Sequence, residues 1–249
     1  MTSLSRVLLF AVVAFVPANT WAAPQTFFGE DLGQGENVRL SSHPNADAAR
    51  AQFLANLSNP VTADLENFSD GEPAPLVVDF GAAGTATLQG TGEIVEVPSG
   101  TNGFGRYPIS GTKYLDSSAT FSITFSQPQV AFGFFGVDIG DFNGQVTITY
   151  VDGSSQTLTI PNTTNGLGGS VLYFAFIDIA NPFVSVSFGN TAIGEDVFGF
   201  DDFTIGTAQQ VVVAGVPTLT EWGMAFMALL LAVTAVFYIR RQRIELRLG

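Results

Sequence analysis

Carboxylates are the abundant reactive side chains of this chain, and many fall in two groups: Asp138, Asp141 and Asn143 in VDIGDFNG, and Glu195, Asp196, Asp201 and Asp202 in GEDVFGFDDF. Hard oxygen donors crowded on glycine-containing loops suit calcium, which takes about 6 to 8 oxygens in irregular geometry. Asp201 and Asp202 are neighbours at the start of an expected strand, so their side chains point to opposite faces, one toward a neighbouring strand and the other toward water. Glu66, in DLENFSDG, is the matching early carboxylate. Glu66, Asp196, Asp201 and Asp202 are thus the candidate ligands of a structural Ca2+ that ties the end of the domain to its start. The alternative is that these acids are solvated turns on an acidic surface, since neither group has EF-hand or glycine-rich nonapeptide spacing.

Catalysis has little else to work with. The chain has no Cys and one His, which excludes thiolate chemistry, a histidine metal cluster and a Ser/His/Asp triad within the chain. A glycosidase needs an acid and a base on opposite sides of a sugar, ~5 to 9.5 Å apart. Glu93 and Glu96 are three apart on an expected strand and face opposite sides. The best enzymatic lead is GRYPISGTKY, which gathers Arg106, Tyr107, Lys113 and Tyr114, against the plainer reading of a loop with ordinary aromatic packing. His43, before Pro44, is expected at the surface. No catalytic residue is assigned, and a nonenzymatic protein is expected. For sugar binding, the aromatic candidates on exposed loops are Phe104, Tyr107 and Phe142. Most of the other Phe side chains must fill the core.

The charge pattern limits partners further. Residues 24–216 hold 20 acids and only four bases, Arg39, Arg50, Arg106 and Lys113, a net charge of −16, while the rest of the chain is +3. Nucleic acid is therefore not a partner, because neutralising phosphates takes clustered Lys and Arg. At 46% hydrophobic and 12% charged residues the chain is also too apolar to be wholly disordered.

The elements that must hold these residues read as strands. TFSITF (120–125) places Phe121, Ile123 and Phe125 on one face, and Val184, Val186 and Phe188 alternate with Ser185 and Ser187. Residues 146–150 and 157–160 flank Asp152-Gly153 as a hairpin. VAFGFFGV (130–137) is almost wholly apolar, as a strand covered on both faces would be. With 76–80, 85–88, 94–97, 172–176 and 198–205, about ten strands follow at sandwich-like spacing. One helix is expected at 46–57, capped by Asn45 and stopped by Asn59-Pro60, with Ala49, Phe53 and Leu57 on one face. The fold class is all-β, a β-sandwich or jelly-roll-like ectodomain with a short N-terminal helix, plus a C-terminal transmembrane helix.

Both ends look like addresses. Arg6, ten apolar residues and small residues before Ala22 make a signal peptide over 1–22, cleaved after Ala22 with Thr20 at −3. At the other end 222–239 holds 18 uncharged residues, ~27 Å of helix, followed by Arg240, Arg241 and Arg243 as the membrane stop. Immediately before it stands VPTLTEWG: Val216, Pro217, Thr218, Leu219, then Trp222 and Gly223. This motif, the hydrophobic helix and the Arg-rich end together resemble the IPTL-CTERM sorting signal of Gram-negative bacteria, a relative of PEP-CTERM tails, with Val216 where Ile is usual. The resemblance covers about 30 residues, and a plain C-terminal anchor is its alternative.

The resemblance implies several things. A membrane exosortase-like enzyme is the sorting partner after passage through the Sec translocon, with cleavage near 217–219. The precursor is anchored in the inner membrane, and the ectodomain ends at the cell surface, in the outer envelope or in the extracellular matrix. Such tails accompany exopolysaccharide production and biofilm formation, so a structural or adhesive role is expected, with possible exopolysaccharide contact. The competing reading is a carbohydrate-binding module or carbohydrate-active enzyme on the same scaffold. The expected layout is signal peptide 1–22, N-terminal appendage 23–60, sandwich 61–207, spacer 208–215, sorting signal 216–243 and tail 244–249.

Overall fold

The computed structural model describes residues 23–98, 105–117, 121–139, 144–164, 167–189, 197–208 and 219–245. The signal peptide, Phe104, Asp141, Phe142, Asn143, Glu195, Asp196, Val216, Pro217 and Thr218 lie outside them. In chain order the elements are β1 (Gln25–Asp31), α1 (Pro44–Ala55), β2 (Leu57–Ala63), β3 (Leu76–Asp79), β4 (Thr85–Gly90), β5 (Glu93–Glu96), β6 (Lys113–Ser117) and β7 (Phe121–Gln129). They continue with β8 (Ala131–Val137), β9 (Gln145–Tyr150), β10 (Ser155–Thr159), β11 (Val171–Ile177), β12 (Phe183–Gly189), β13 (Phe198–Ala208) and α2 (Leu219–Glu245).

Two antiparallel sheets result. The first runs β1-β11-β8-β13-β6-β5, with β2 also paired to β13, and the second runs β10-β9-β12-β7-β4-β3. Their facing sides make a phenylalanine-rich core: Phe132 and Phe134 from β8, Phe174 and Phe176 from β11, Phe200 and Phe203 from β13, against Phe121, Phe125 and Phe188 of the second sheet. Burying such rings dominates the stabilisation, each contributing roughly 1.5–3 kcal/mol.

β8 and β11 are buried along their whole length because a second cluster covers the outer face of their sheet. The alternate residues Phe135 and Val137, with Val171, Tyr173 and Ala175, meet Ala46, Ala49 and Phe53 of α1. This is the physical basis of the unbroken apolar run in VAFGFFGV.

α1 starts two residues earlier than the sequence predicts, with Pro44 in its first turn, where the missing N–H costs nothing. Asn45 does not cap it. The carboxylate of Asp31, at the end of β1, accepts from the Asn45 N–H (3.0 Å) and the Ala46 N–H (2.9 Å). The helix crosses β1 so closely that a Cβ on Gly29 would run into the Asn45 carbonyl. Asn59-Pro60 does not stop it either: the helix ends at Ala55, and both residues belong to β2. β1 and β2 thus bring residues 23–60 into the first sheet.

The C-terminal unit (210–249) is separate from the first. Its helix α2 runs past Arg240, Arg241 and Arg243 to Glu245, so the arginines expected behind a membrane span continue the helix instead. Among the described residues no helix is long and apolar enough to cross a membrane. That corrects the expected transmembrane helix over 222–239. Eighteen uncharged residues stand at the low end of the ~17–25 that a span takes, and the same helix continues through three arginines to Glu245.

Candidate functional site

β13 organises the polar residues. One of its edges pairs with β8, while the other pairs first with β6 (Phe198 to Phe200) and then with β2 (from Phe203 onward). The register shifts between Asp201 and Thr204, and Asp202 takes a left-handed backbone conformation, φ +52°. A bulge of this kind re-aims side chains and breaks the period of two. Asp201 and Asp202, expected on opposite faces, therefore reach the same loop. Asp201 accepts from the Ile109 N–H (2.8 Å) and the Ser110 N–H (3.0 Å), and Asp202 accepts from the Ser110 hydroxyl (2.6 Å). Neither acid meets water as a solvated turn: both are buried.

Glu66 holds the next residues of the same segment, accepting from the N–H groups of Thr112 (2.8 Å) and Lys113 (2.7 Å). The three described acids of the expected calcium set thus grip consecutive parts of residues 109–113. Among the described residues, no group of three or more His, Asp or Glu could hold a metal ion.

Burial, and then the neighbouring Asp202, push the Asp201 carboxyl well above the usual range, although three backbone N–H groups pull it down. Asp202 is also raised, mainly by burial, against the pull of the Ser110 hydroxyl and of Arg50, whose Nη2 lies 4.0 Å away.

The stretch singled out as an enzymatic lead is spoken for. Lys113 Nζ donates to the carbonyls of Glu66 (3.0 Å) and Phe68 (2.6 Å), and Arg106 Nε lies 3.2 Å from Asp116. Tyr107, expected on an exposed loop, is 1% exposed, as is Tyr114. Burial raises both phenols, Tyr114 to about 12, so neither acts as a base near neutral pH. The Tyr107 hydroxyl donates to the Gly169 carbonyl (3.0 Å) and accepts from the Leu40 N–H (3.2 Å), fastening three loops together.

Three surface clefts differ in chemistry. One of about 450 Å³ lies against this loop cluster, lined by Arg39, Ser41, His43, Tyr107, Pro108 and Ile109. Arg39 donates to the Pro108 carbonyl (2.7 Å) and lies over the Tyr107 ring, 4.8 Å from its centre. His43 is half-buried, edge-on to Phe135, with Nδ1 3.0 Å from Asp47. A second cleft of about 390 Å³ is neutral, with Gln89, Ser122 and Ser187 beside Phe121 and Phe188. A third, about 320 Å³, holds Glu93 and Asp116, which face each other across β5 and β6. Burial raises Asp116 to about 6, with Arg106 opposing and Glu93 adding to the rise. Sequence reasoning paired Glu93 with Glu96 and passed over Arg39 and Ser41. The available signal was scarcity, since a domain with four bases among 20 acids places each one for a reason.

Comparison with known families finds a match to the IPTL-CTERM motif over residues 214–243. The chain carries an IPTL-CTERM sorting motif. Its tail is that of a sorting-signal-bearing surface protein, and an exosortase-type enzyme is the partner the motif implies. No curated protein matches the chain. Among solved structures, the C-terminal family 22 carbohydrate binding module of Clostridium thermocellum Xyn10B aligns at 14% identity and TM-score 0.36, over 61% of this chain and 95% of its own. The cleaved adhesin domain of Lys-gingipain aligns at 14% and 0.35, over 60% and 98%. A family 29 carbohydrate binding module aligns at 13% and 0.29, over 61% and 94%. These are distant likenesses.

Proposed function

We infer that this is an exported, nonenzymatic protein of the cell surface or extracellular matrix, sorted through its C-terminal motif, whose β-sandwich binds extracellular polysaccharide. The observation that carries the sorting half is the IPTL-CTERM match at residues 214–243. The nonenzymatic half is supported by the state of the 105–114 segment, where lysine, arginine and both tyrosines are committed to holding the fold. Open, polar-lined clefts suit a polymer laid along a surface better than the enclosed, mostly apolar pockets that bind small molecules.

Incubating the purified full chain with a panel of envelope and matrix polysaccharides tests the binding half. Retention without new reducing ends or unsaturated products is expected. Products of cleavage would make the protein an enzyme, and no retention on any polymer would end the binding reading. Intact-mass analysis of protein released from cells with an active sorting enzyme tests the other half. A mature form lacking 226–243 is expected, and one that still carries them would refute processing.

A further inference from the structure

Resting on the polysaccharide reading, we propose that the outer face of the second sheet binds an uncharged polysaccharide, an extended β-1,4-linked chain laid across the strands. Strand register assembles this face. One row runs Thr87, Thr124, Ser185, Thr149 and Ser155, from β4 through β7, β12 and β9 to β10. The next runs Gln89, Ser122, Ser187, Thr147 and Thr157 over the same strands. Every one of these positions carries a hydroxyl or an amide, and every one is exposed or half-buried.

The face is almost without charge. Although residues 24–216 hold 20 acids, the six strands of the second sheet carry one charged side chain, Asp79 at the end of the edge strand β3. Its polar groups are also available. Thr147 and Thr157 share a hydroxyl contact, whereas among the described residues the side chains of Gln89, Ser122, Thr124, Ser185 and Ser187 have no hydrogen-bond partner in the protein. Protein interfaces are depleted in serine and enriched in aromatic rings, methionine and arginine, none of which stands in these two rows. Uncharged donors and acceptors instead match the hydroxyls of a neutral sugar. The spacing fits as well, because strands lie ~4.8 Å apart and rows two residues apart are separated by ~6.7 Å, giving ~19 Å across five strands. An extended β-1,4-linked glycan advances one ring in nearly the step between strands, and the hydroxyls on the two edges of each ring meet the two rows. The cleft lined by Gln89, Ser122 and Ser187 is a recess of about 390 Å³ at the second row, where a ring can sit.

The test measures retardation of the full chain in native gels that contain glucomannan (neutral and β-1,4-linked), dextran (neutral but α-1,6-linked) or polygalacturonate. Retardation by glucomannan alone is expected. Thr124→Val with Thr149→Val removes two hydroxyls of the first row, keeps their shape and suits a strand, and should weaken binding about tenfold, the scale of two neutral hydrogen bonds. Ser122→Ala with Ser187→Ala, in the second row, should do the same, which keeps the test intact if the valine pair fails to fold. Equal retardation by dextran or polygalacturonate, or a glucomannan affinity that survives in either folded pair, would overturn the proposal. So would a dimer of the unaltered chain that the valine pair dissociates, because the face would then belong to a second copy. If other polymers of the panel bind while glucomannan does not, the proposal falls and the polysaccharide reading stands. If nothing in the panel binds, both fall.

Discussion

The two sheets of the sandwich share one core and differ on their outer faces. The first is covered by α1 and by the 105–113 loop, so β8 and β11 are buried on both sides and β13 carries acids at almost no exposure. The second leaves its outer face to water: β7 and β9 alternate buried residues with half-buried or exposed ones, and the edge strand β10 alternates half-buried and exposed residues. Placing acids under a cover forces each to find donors, because a buried carboxylate without partners is costly. That is why Asp201 and Asp202 became fasteners for a loop, while polar side chains on β9 and β10 of the second sheet stay at the surface.

The largest contrast should come from the cover itself. Phe53, fully buried between α1 and the sheet, packs on Phe27 and Tyr173. Phe53→Ala is expected to cost about 3–5 kcal/mol in urea unfolding of the full chain. A loss below 1 kcal/mol would mean that α1 is not part of the stable fold.

Asp201→Ala comes next. It strips the Ile109 and Ser110 N–H groups of their acceptor, at an expected cost of about 2 kcal/mol or more. Asp201→Asn keeps an acceptor oxygen and should retain most of the stability. Amide exchange at Ile109 and Ser110 is the direct readout, and unchanged protection in Asp201→Ala would contradict the fastening role.

The buried acids also predict a pH dependence. Asp116 is raised from 3.8 to about 6, and Asp201 and Asp202 are raised as well. On raising the pH, the unfolded chain gives up these protons first, so the folded state binds more of them and its stability falls. The contribution of Asp116 is complete below pH 3.8 and is lost as pH rises to about 6, with the buried pair adding to the fall. The melting temperature is expected to drop across this window, and Asp116→Asn should make the drop shallower. A melting curve for Asp116→Asn that tracks the unaltered chain at every pH would remove Asp116 from this account.

The smallest effect belongs to the open face. Thr147 and Thr157 share a hydroxyl contact of 3.0 Å across β9 and β10 in water. Thr147→Val should stay within about 0.5 kcal/mol of the original. A loss comparable to that of Asp201→Ala would show that the two faces are not as different as their burial implies.

The sequence by itself determined what is local. The alternation in TFSITF, the Asp152-Gly153 hairpin and the unbroken VAFGFFGV run each specify a strand, because side-chain period and turn chemistry act over a few residues. The VPTLTEWG motif likewise sits in one contiguous stretch. What only the tertiary structure decided depends on residues far apart in the chain. The α1 cap comes from Asp31 on β1, β2 pairs with β13 from the other end of the domain, and Tyr107 is drawn inside by partners at Leu40 and Gly169. Asp201 and Asp202 share a loop because of one bulge, which no alternation rule foresees. A one-residue shift in strand register reverses every side chain beyond it, and that shift is fixed by which strands lie on either edge of β13.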